Sequence, residues 1–327
     1  MNTTFFTSLR SAPADAFAKR ALVLGGGGAA GNAWEIGVLA ALCAAGLDVT
    51  QADLVIGTSA GSTAAAQISA ATPAELLAGI LAAAPVASGG GRPRPRPAVD
   101  HLATTGDIIA SATDAADMRR RMGAAALETD AASGAAANAQ RRDTVAARLP
   151  SPHWPQQPLL IVAVNARTGE PVGFDRESGV EMVDAVTASC AGPGAPAHRI
   201  GDERYIDGGY RRNENADLAR GFGRVLVLSP LGGRTRMPLE WAFQLAAQVD
   251  ELRAGGSRVE AVLPDGTSLD AFGANLMDLS TRPPAAQAGY QQGAALAEQL
   301  SEFWADVAKP LPDFIAAAIE MECAFAV

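Results

Sequence analysis

Lysine is almost missing: Lys19 and Lys309 are the only two in 327 residues, and arginine supplies the rest of the 26 basic side chains. With so much alanine and glycine, this bias fits a GC-rich genome better than a functional demand. Cysteine is equally scarce. Cys43, Cys190 and Cys323 are too few and too scattered for a disulfide framework or a C-x-x-C metal site, and they suit a reducing compartment. Positive charge is outweighed, at a net −9 and a pI near 4.9, which argues against a general nucleic-acid binder. No stretch of about 18 apolar residues is present, so no membrane-spanning helix is expected. The opening MNTTFFTSLRSAPADAFAKR lacks the basic start and long apolar core of a cleaved signal. These absences predict a cytoplasmic protein, with secretion by a route without a cleaved signal left open.

Hydrophobic residues make up 48% of the chain and charged ones 19%, enough apolar content to bury a substantial core. Residues 1–19 read as a flexible polar arm, and residues 20–327 as one domain. Ala21–Leu24 is a short buried-strand pattern stopped by Gly25–Gly28, after which Trp34, Ile36, Val38, Leu39 and Leu42 recur near helical spacing. Leu54–Ile56 is a second strand, running into Gly57-Thr58-Ser59-Ala60-Gly61 and an alanine-rich helix. Strand, glycine turn and helix, twice in succession, predict an α/β fold with a mostly parallel sheet. Leu159–Val164, Arg204–Asp207 and Val225–Leu228 read as further strands, and residues 239–327 as mainly helical, with a last helix starting at Leu311-Pro312.

Residues 85–150 differ in character. The Arg92-Pro93-Arg94-Pro95-Arg96-Pro97 alternation cannot hold a helix or a central strand, and Ala-rich, loosely packed helices are expected after it. Nine arginines against seven acids give this stretch a small positive surplus within an acidic chain. It reads as a low-complexity helical insert, either a lid over one end of the sheet or a solvated decoration.

Gly57-Thr58-Ser59-Ala60-Gly61 fits G-x-S-x-G between a strand and a helix, where a sharp turn exposes the serine hydroxyl and flanking glycines avoid backbone collisions. Ser59 is therefore the candidate nucleophile, with a structural turn serine as the alternative. Gly26-Gly27-Gly28-Ala29-Ala30-Gly31 also satisfies G-x-G-x-x-G, which allows a dinucleotide site. The second strand argues against that reading, because it ends in the serine turn rather than in an acid for a ribose; Asp48 and Asp53 precede the strand. Free backbone amides at this glycine turn forming an oxyanion hole is the better reading. Only three histidines exist, His101, His153 and His198, and none falls late in the chain after an acid, as an α/β-hydrolase base would. Asp207, at a strand end before Gly208 and Gly209, can act directly as general base if burial raises its pKa; an Asx-type turn is the alternative.

The glycine turn, G-T-S-A-G and D-G-G, in that order and each at a strand end, resemble the bacterial patatin-like phospholipases. Trp34–Leu39, Thr187-Ala188-Ser189-Cys190-Ala191 and Asn215–Ala219 extend the resemblance, which spans about Arg20 to Pro230. It implies a three-layer fold with helices on both sides of the sheet. It also implies a lipid acyl hydrolase using a Ser59–Asp207 dyad, Gly26–Gly28 as oxyanion hole, and neither cofactor nor metal. Gly31, Gly57, Thr58, Ala60, Gly61, Gly208 and Gly209 are the accompanying motif positions. Two departures stand out: Ala30 replaces a frequent Arg or Lys of the glycine loop, and residues 190–198 are small where bulky apolar ones are usual. The missing cation and few aromatics, 5% of the chain, favour the rival reading of a soluble short-chain esterase or thioesterase. A catalytically weak lipid-binding protein is the rival of another class. The expected partner is an acyl lipid, with peripheral membrane contact through the local arginines and no nucleic acid.

Overall fold

The computed structural model describes residues 19–83 and 101–305. In chain order the elements are β1 (Arg20–Leu24), α1 (Gly28–Ala44), β2 (Leu54–Thr58), α2 (Ala60–Ile68), α3 (Pro73–Ala82), α4 (His101–Ser111) and α5 (Ala115–Ala146). They continue with β3 (Leu159–Asn165), β4 (Pro171–Phe174), α6 (Met182–Ser189), β5 (His198–Ile200), β6 (Glu203–Asp207) and β7 (Arg224–Leu228). The last are α7 (Leu245–Ala254), β8 (Arg258–Val262), α8 (Gly266–Phe272) and α9 (Arg282–Trp304). The polar arm, the Arg–Pro alternation and the helix expected from Leu311 lie outside the described residues, Lys19 excepted.

One eight-stranded sheet runs in the order β5-β6-β3-β2-β1-β7-β8, with β4 paired to β3 outside this row. β3, β2, β1, β7 and β8 are mutually parallel, while β4, β5 and β6 pair antiparallel. Because side chains alternate along a strand, β1 sends Leu22 and Leu24 into one core and Ala21 and Val23 into the other. The first core is closed by α1, α2, α6 and α9; the second by α7 and the turn at Ala216–Ala219. Burial on both faces is why the central strands read as unbroken apolar runs. The result is an α/β fold with a mixed, mostly parallel sheet between helices.

Helices α1 and α9 make the most intimate contact between helices. A Cβ on Gly37 would strike the Ala286 carbonyl oxygen, and one on Gly289 the Trp34 carbonyl oxygen. Glycine there lets two backbones approach more closely than side chains would allow.

The insert is packed more firmly than its composition suggests. Met118 and Met122 of α5 are buried against Val164, Ala166 and Ile206, and Gly123 sits flush on the Ala166 backbone. Residues 131–136 of α5 are exposed around a break at Gly134, where φ is 75°, and Val145 near its end is buried again. The two methionines, four residues apart on one helical face, supply the apolar anchor. Among the described residues no single helix is long and apolar enough to cross a membrane.

Candidate active site

Sheet register brings the two principal candidates together. Thr58, the last residue of β2, lies opposite Val162, and Asp207, the last of β6, lies opposite Ala163. Two strands remote in sequence thus end at adjacent positions of β3. Just past β2 the chain turns into α2, with Ser59 at φ 53° and ψ −116°, a conformation that costs a non-glycine residue about 1–3 kcal/mol. The motif glycines make this turn possible. A Cβ on Gly57 would lie 2.6 Å from Ser62 Cα, and one on Gly61 would collide with the Leu24 carbonyl. Gly61 N–H donates to the Gly25 carbonyl at 3.0 Å, locking α2 to the end of β1.

Ser59 Oγ donates to Asp207 Oδ2 at 2.7 Å. The other carboxylate oxygen accepts from Gly209 N–H at 2.8 Å, and Asp207 N–H donates to the Ala191 carbonyl at 3.0 Å. Asp207 is only 8% exposed. Burial pushes its pKa up to about 6, against the lowering by the Gly209 and Ser59 hydrogen bonds and the Arg141 charge. Gly208 has no room for a side chain beside the Val162 carbonyl, so the D-G-G turn hugs β3. Ser59 keeps partial exposure while Thr58 and Ala60 on either side are buried.

The glycine turn adjoins this pair: a Cβ on Gly26 would lie 3.4 Å from Ser59 Cβ. One amide expected to be free is not. Gly26 N–H donates to the Asn213 carbonyl at 3.1 Å, because residues 211–215 fold back over the turn. Among the described residues the N–H groups of Gly27 and Gly28 have no protein acceptor. Gly31 N–H closes onto the Gly27 carbonyl at 2.9 Å as α1 begins, and Pro230 packs against both glycines.

Several further residues support the pair, three of them in the two later segments that carried the resemblance. Ser189 Oγ accepts the Ser59 N–H at 2.9 Å, and Cys190 Sγ donates to the Ser59 carbonyl at 3.2 Å. Asn215 Nδ2 donates to Thr58 Oγ1 at 3.0 Å and to the Gly208 carbonyl at 3.3 Å, tying the serine turn to D-G-G. Arg141 of α5 donates to the Pro196 carbonyl at 2.7 Å, which brings the insert to the edge of the site. No local pattern marks Asn213 or Arg141.

The remaining candidates lie elsewhere. His198 is buried on β5 with Nε2 at 2.9 Å from Asp184 Oδ1, and His153 is exposed in a loop; the side chain of His101 lies outside the described residues. Both lie before β2: Asp48 accepts from Thr50 N–H in its own turn, and Asp53 accepts from Arg20 N–H at the start of β1. Neither is placed to hold a ribose at the glycine turn. Among the described residues no group of three or more His, Cys, Asp or Glu side chains is placed to hold a metal ion.

The α/β sheet thus presents Ser59 on a strained strand-to-helix turn beside a glycine-rich loop. The family model for patatin-like phospholipases matches residues 22–220, and the chain belongs to that family. Membership implies hydrolase action on lipids. Among solved structures, VipD from Legionella pneumophila is similar at 16% identity and a TM-score of 0.40, covering 86% of this chain and 67% of that one. No curated protein matches.

Proposed function

We propose that the protein is a lipid acyl hydrolase cleaving carboxylic esters of phospholipids or related acyl lipids, with Ser59 as nucleophile and Asp207 as general base. The observation that carries this reading is the 2.7 Å hydrogen bond between the two, made at a partly exposed serine in a strained turn. Ser59 Oγ attacks the ester carbonyl carbon as its proton passes to Asp207 Oδ2. Negative charge then builds on the carbonyl oxygen, for which the Gly27 and Gly28 amides are the proposed donors. Collapse of this intermediate breaks the bond to the alcohol, which leaves with the proton from Asp207. Water next gives a proton to the same carboxylate and attacks the acyl group. The fatty acid departs as Ser59 Oγ takes the proton back.

The test is hydrolysis of a p-nitrophenyl ester series from acetate to palmitate, together with phosphatidylcholine vesicles. Rates rising with chain length and turnover of the vesicles are expected. Activity confined to acetate and butyrate would replace this reading by the soluble esterase, and no turnover with vesicle binding would replace it by a lipid-binding protein. Peripheral membrane contact belongs to the same proposal. Met277 is 69% exposed and Leu279 43%, on the turn whose Leu276 carbonyl accepts from Ala30 N–H beside the glycine loop. Co-sedimentation with the vesicles is expected in the same assay; its absence would remove this element.

A pH dependence follows from Asp207. The base must be ionised to take the serine proton, so kcat/KM for a neutral ester should fall about tenfold per pH step below about 6 and level off above it. A profile flat from pH 4.5 to 8 would show that no group with this pKa acts as base.

A further inference from the structure

A water that attacks an acyl group must be held in one orientation, and its base can hold only one of its two protons. At the Ser59 site that base is Asp207 Oδ2; the other carboxylate oxygen is already engaged by Gly209 N–H. A second acceptor stands nearby. Asn213 is partly exposed, and its Oδ1 has no donor among the described residues and stays open to water. A Cβ on Gly26 would lie 2.7 Å from this oxygen and 3.4 Å from Ser59 Cβ. One on Gly209 would lie 3.9 Å from it and 3.1 Å from Asp207 Oδ1. The space of one small group thus separates Asn213 Oδ1 from the nucleophile, and another separates it from the base.

The Asn213 amide is not free to turn this oxygen away. Its Nδ2 donates to Glu214 Oε1 at 3.0 Å and, at 3.4 Å, to the Gly26 carbonyl. Half a turn of the amide would set oxygen against both acceptors and lose both bonds. Glu214 is fixed in turn. It is 1% exposed, and it also accepts from Ser229 Oγ at 2.7 Å and from Gln248 Nε2 at 3.1 Å. Gln248 Oε1 accepts from Ala216 N–H, and Ser229 Oγ accepts from Gly233 N–H. A buried polar network satisfied at each of these members specifies a single arrangement. Its outer end is one unpaired acceptor beside the Ser59–Asp207 pair, an oxygen to which nothing in the described fold donates.

We propose that Asn213 Oδ1 is a catalytic group of the second half of the reaction, where it orients the water that releases the acyl chain, and that Glu214 is the residue that positions it. The water oxygen bonds to the acyl carbon. One of its protons passes to Asp207 Oδ2, while the other stays on the oxygen, hydrogen-bonded to Asn213 Oδ1. The bond from the acyl carbon to Ser59 Oγ then breaks, and Asp207 returns its proton to that oxygen. Formation of the acyl-enzyme uses no water and does not call on this acceptor. The inference rests on the Ser59–Asp207 function proposed above.

The test separates the two halves of the reaction. Wild type, Asn213→Ala and Glu214→Gln are mixed with excess p-nitrophenyl butyrate in a stopped-flow cell. After the ester is removed, decay of the butyryl adduct on Ser59 is followed by intact-protein mass. Asn213→Ala is expected to release its first p-nitrophenol at the wild-type rate, while its adduct decays about tenfold more slowly or worse. In the steady state kcat and KM should fall together, leaving kcat/KM within about twofold of wild type. A merely structural role would slow acylation as well and lower kcat/KM. Glu214→Gln, which puts a donor among the donors that converge on this residue, should slow adduct decay in the same sense; unchanged decay would remove Glu214 from the proposal. The inference is overturned if the Asn213→Ala adduct decays at the wild-type rate, or if acylation falls as far as decay. A wild type that forms no adduct at Ser59 would sink the proposed function and this inference with it, whereas an adduct indifferent to Asn213 would sink this inference alone.

Discussion

Asp207→Asn is expected to cut ester hydrolysis by about 10²–10⁴-fold, the range a positioned general base supplies. Ser59→Ala should fall at least as far, and the double variant no further than Ser59→Ala, because the two groups act as one unit. Asparagine is the informative replacement. It preserves shape and can still accept from Gly209 N–H, but it cannot take a proton from Ser59. The same variant should gain stability. The folded pKa of about 6 is above the ordinary 3.8, so the contribution of Asp207 to stability is fullest below 3.8 and is lost as pH rises to about 6. At pH 8 the fold holds a buried charge at a cost of up to about 3 kcal/mol, part of which asparagine returns. Urea denaturation at pH 8 should show Asp207→Asn about 1–3 kcal/mol more stable than wild type. A loss of activity below tenfold would dismiss the carboxylate as the base.

The second large effect is expected from a single methyl group. Gly61→Ala should destabilise the protein by about 3 kcal/mol and remove most activity from whatever remains folded. The new Cβ meets the carbonyl carbon and oxygen of Leu24, with the Gly25 carbonyl oxygen at 2.7 Å. A side chain could swing aside; these are backbone atoms at the end of β1 and of the residue after it, and β1 hydrogen-bonds β2 and β7 on its two sides. Relief must come from α2 moving away, which breaks the Gly61–Gly25 bond and shifts Ser59 from Asp207. Gly266→Ala is the matching control, since a Cβ there meets nothing within 4 Å and the backbone angle is ordinary; its change should stay within about 0.5 kcal/mol. Paired urea denaturation and ester turnover measure both, and a Gly61→Ala protein with wild-type values would mean the turn is not fixed as described.

What could be read from the sequence divides along physical lines. β1, β2, β3 and β7 announce themselves because central strands are apolar on both faces, whereas β6, half of it polar, is marked by the D-G-G turn that ends it. β8 was hidden within a stretch read as helical: on the sheet edge, Arg258 and Glu260 interrupt the apolar run. β4 and β5 are four and three residues long, too short for any period to show. At the site, residues constrained by their own backbone, Gly57, Gly61 and Gly208, stand out as motifs. Asn213 does not, and it is the residue whose carbonyl occupies the Gly26 amide from 187 positions away. Similarly, Ala30 suggested a loop without a cation, yet Arg282 reaches the preceding carbonyl from α9. Sequence shows what a backbone demands locally and is silent on which distant group arrives to meet it.

The closeness of α9 to α1 also sets a schedule. The loop that flanks Ser59 is held by the Leu276 carbonyl on Ala30 N–H, and α1 by the Gly289 contact with Trp34 and the Arg282 bond to Asn32. All three span about 250 residues, so each must wait for the far end of the described chain to be synthesised. Until α9 leaves the ribosome, the nascent chain can build much of the sheet but not a finished glycine loop. An acyl hydrolase assembled in this order stays inert while most of it is being made.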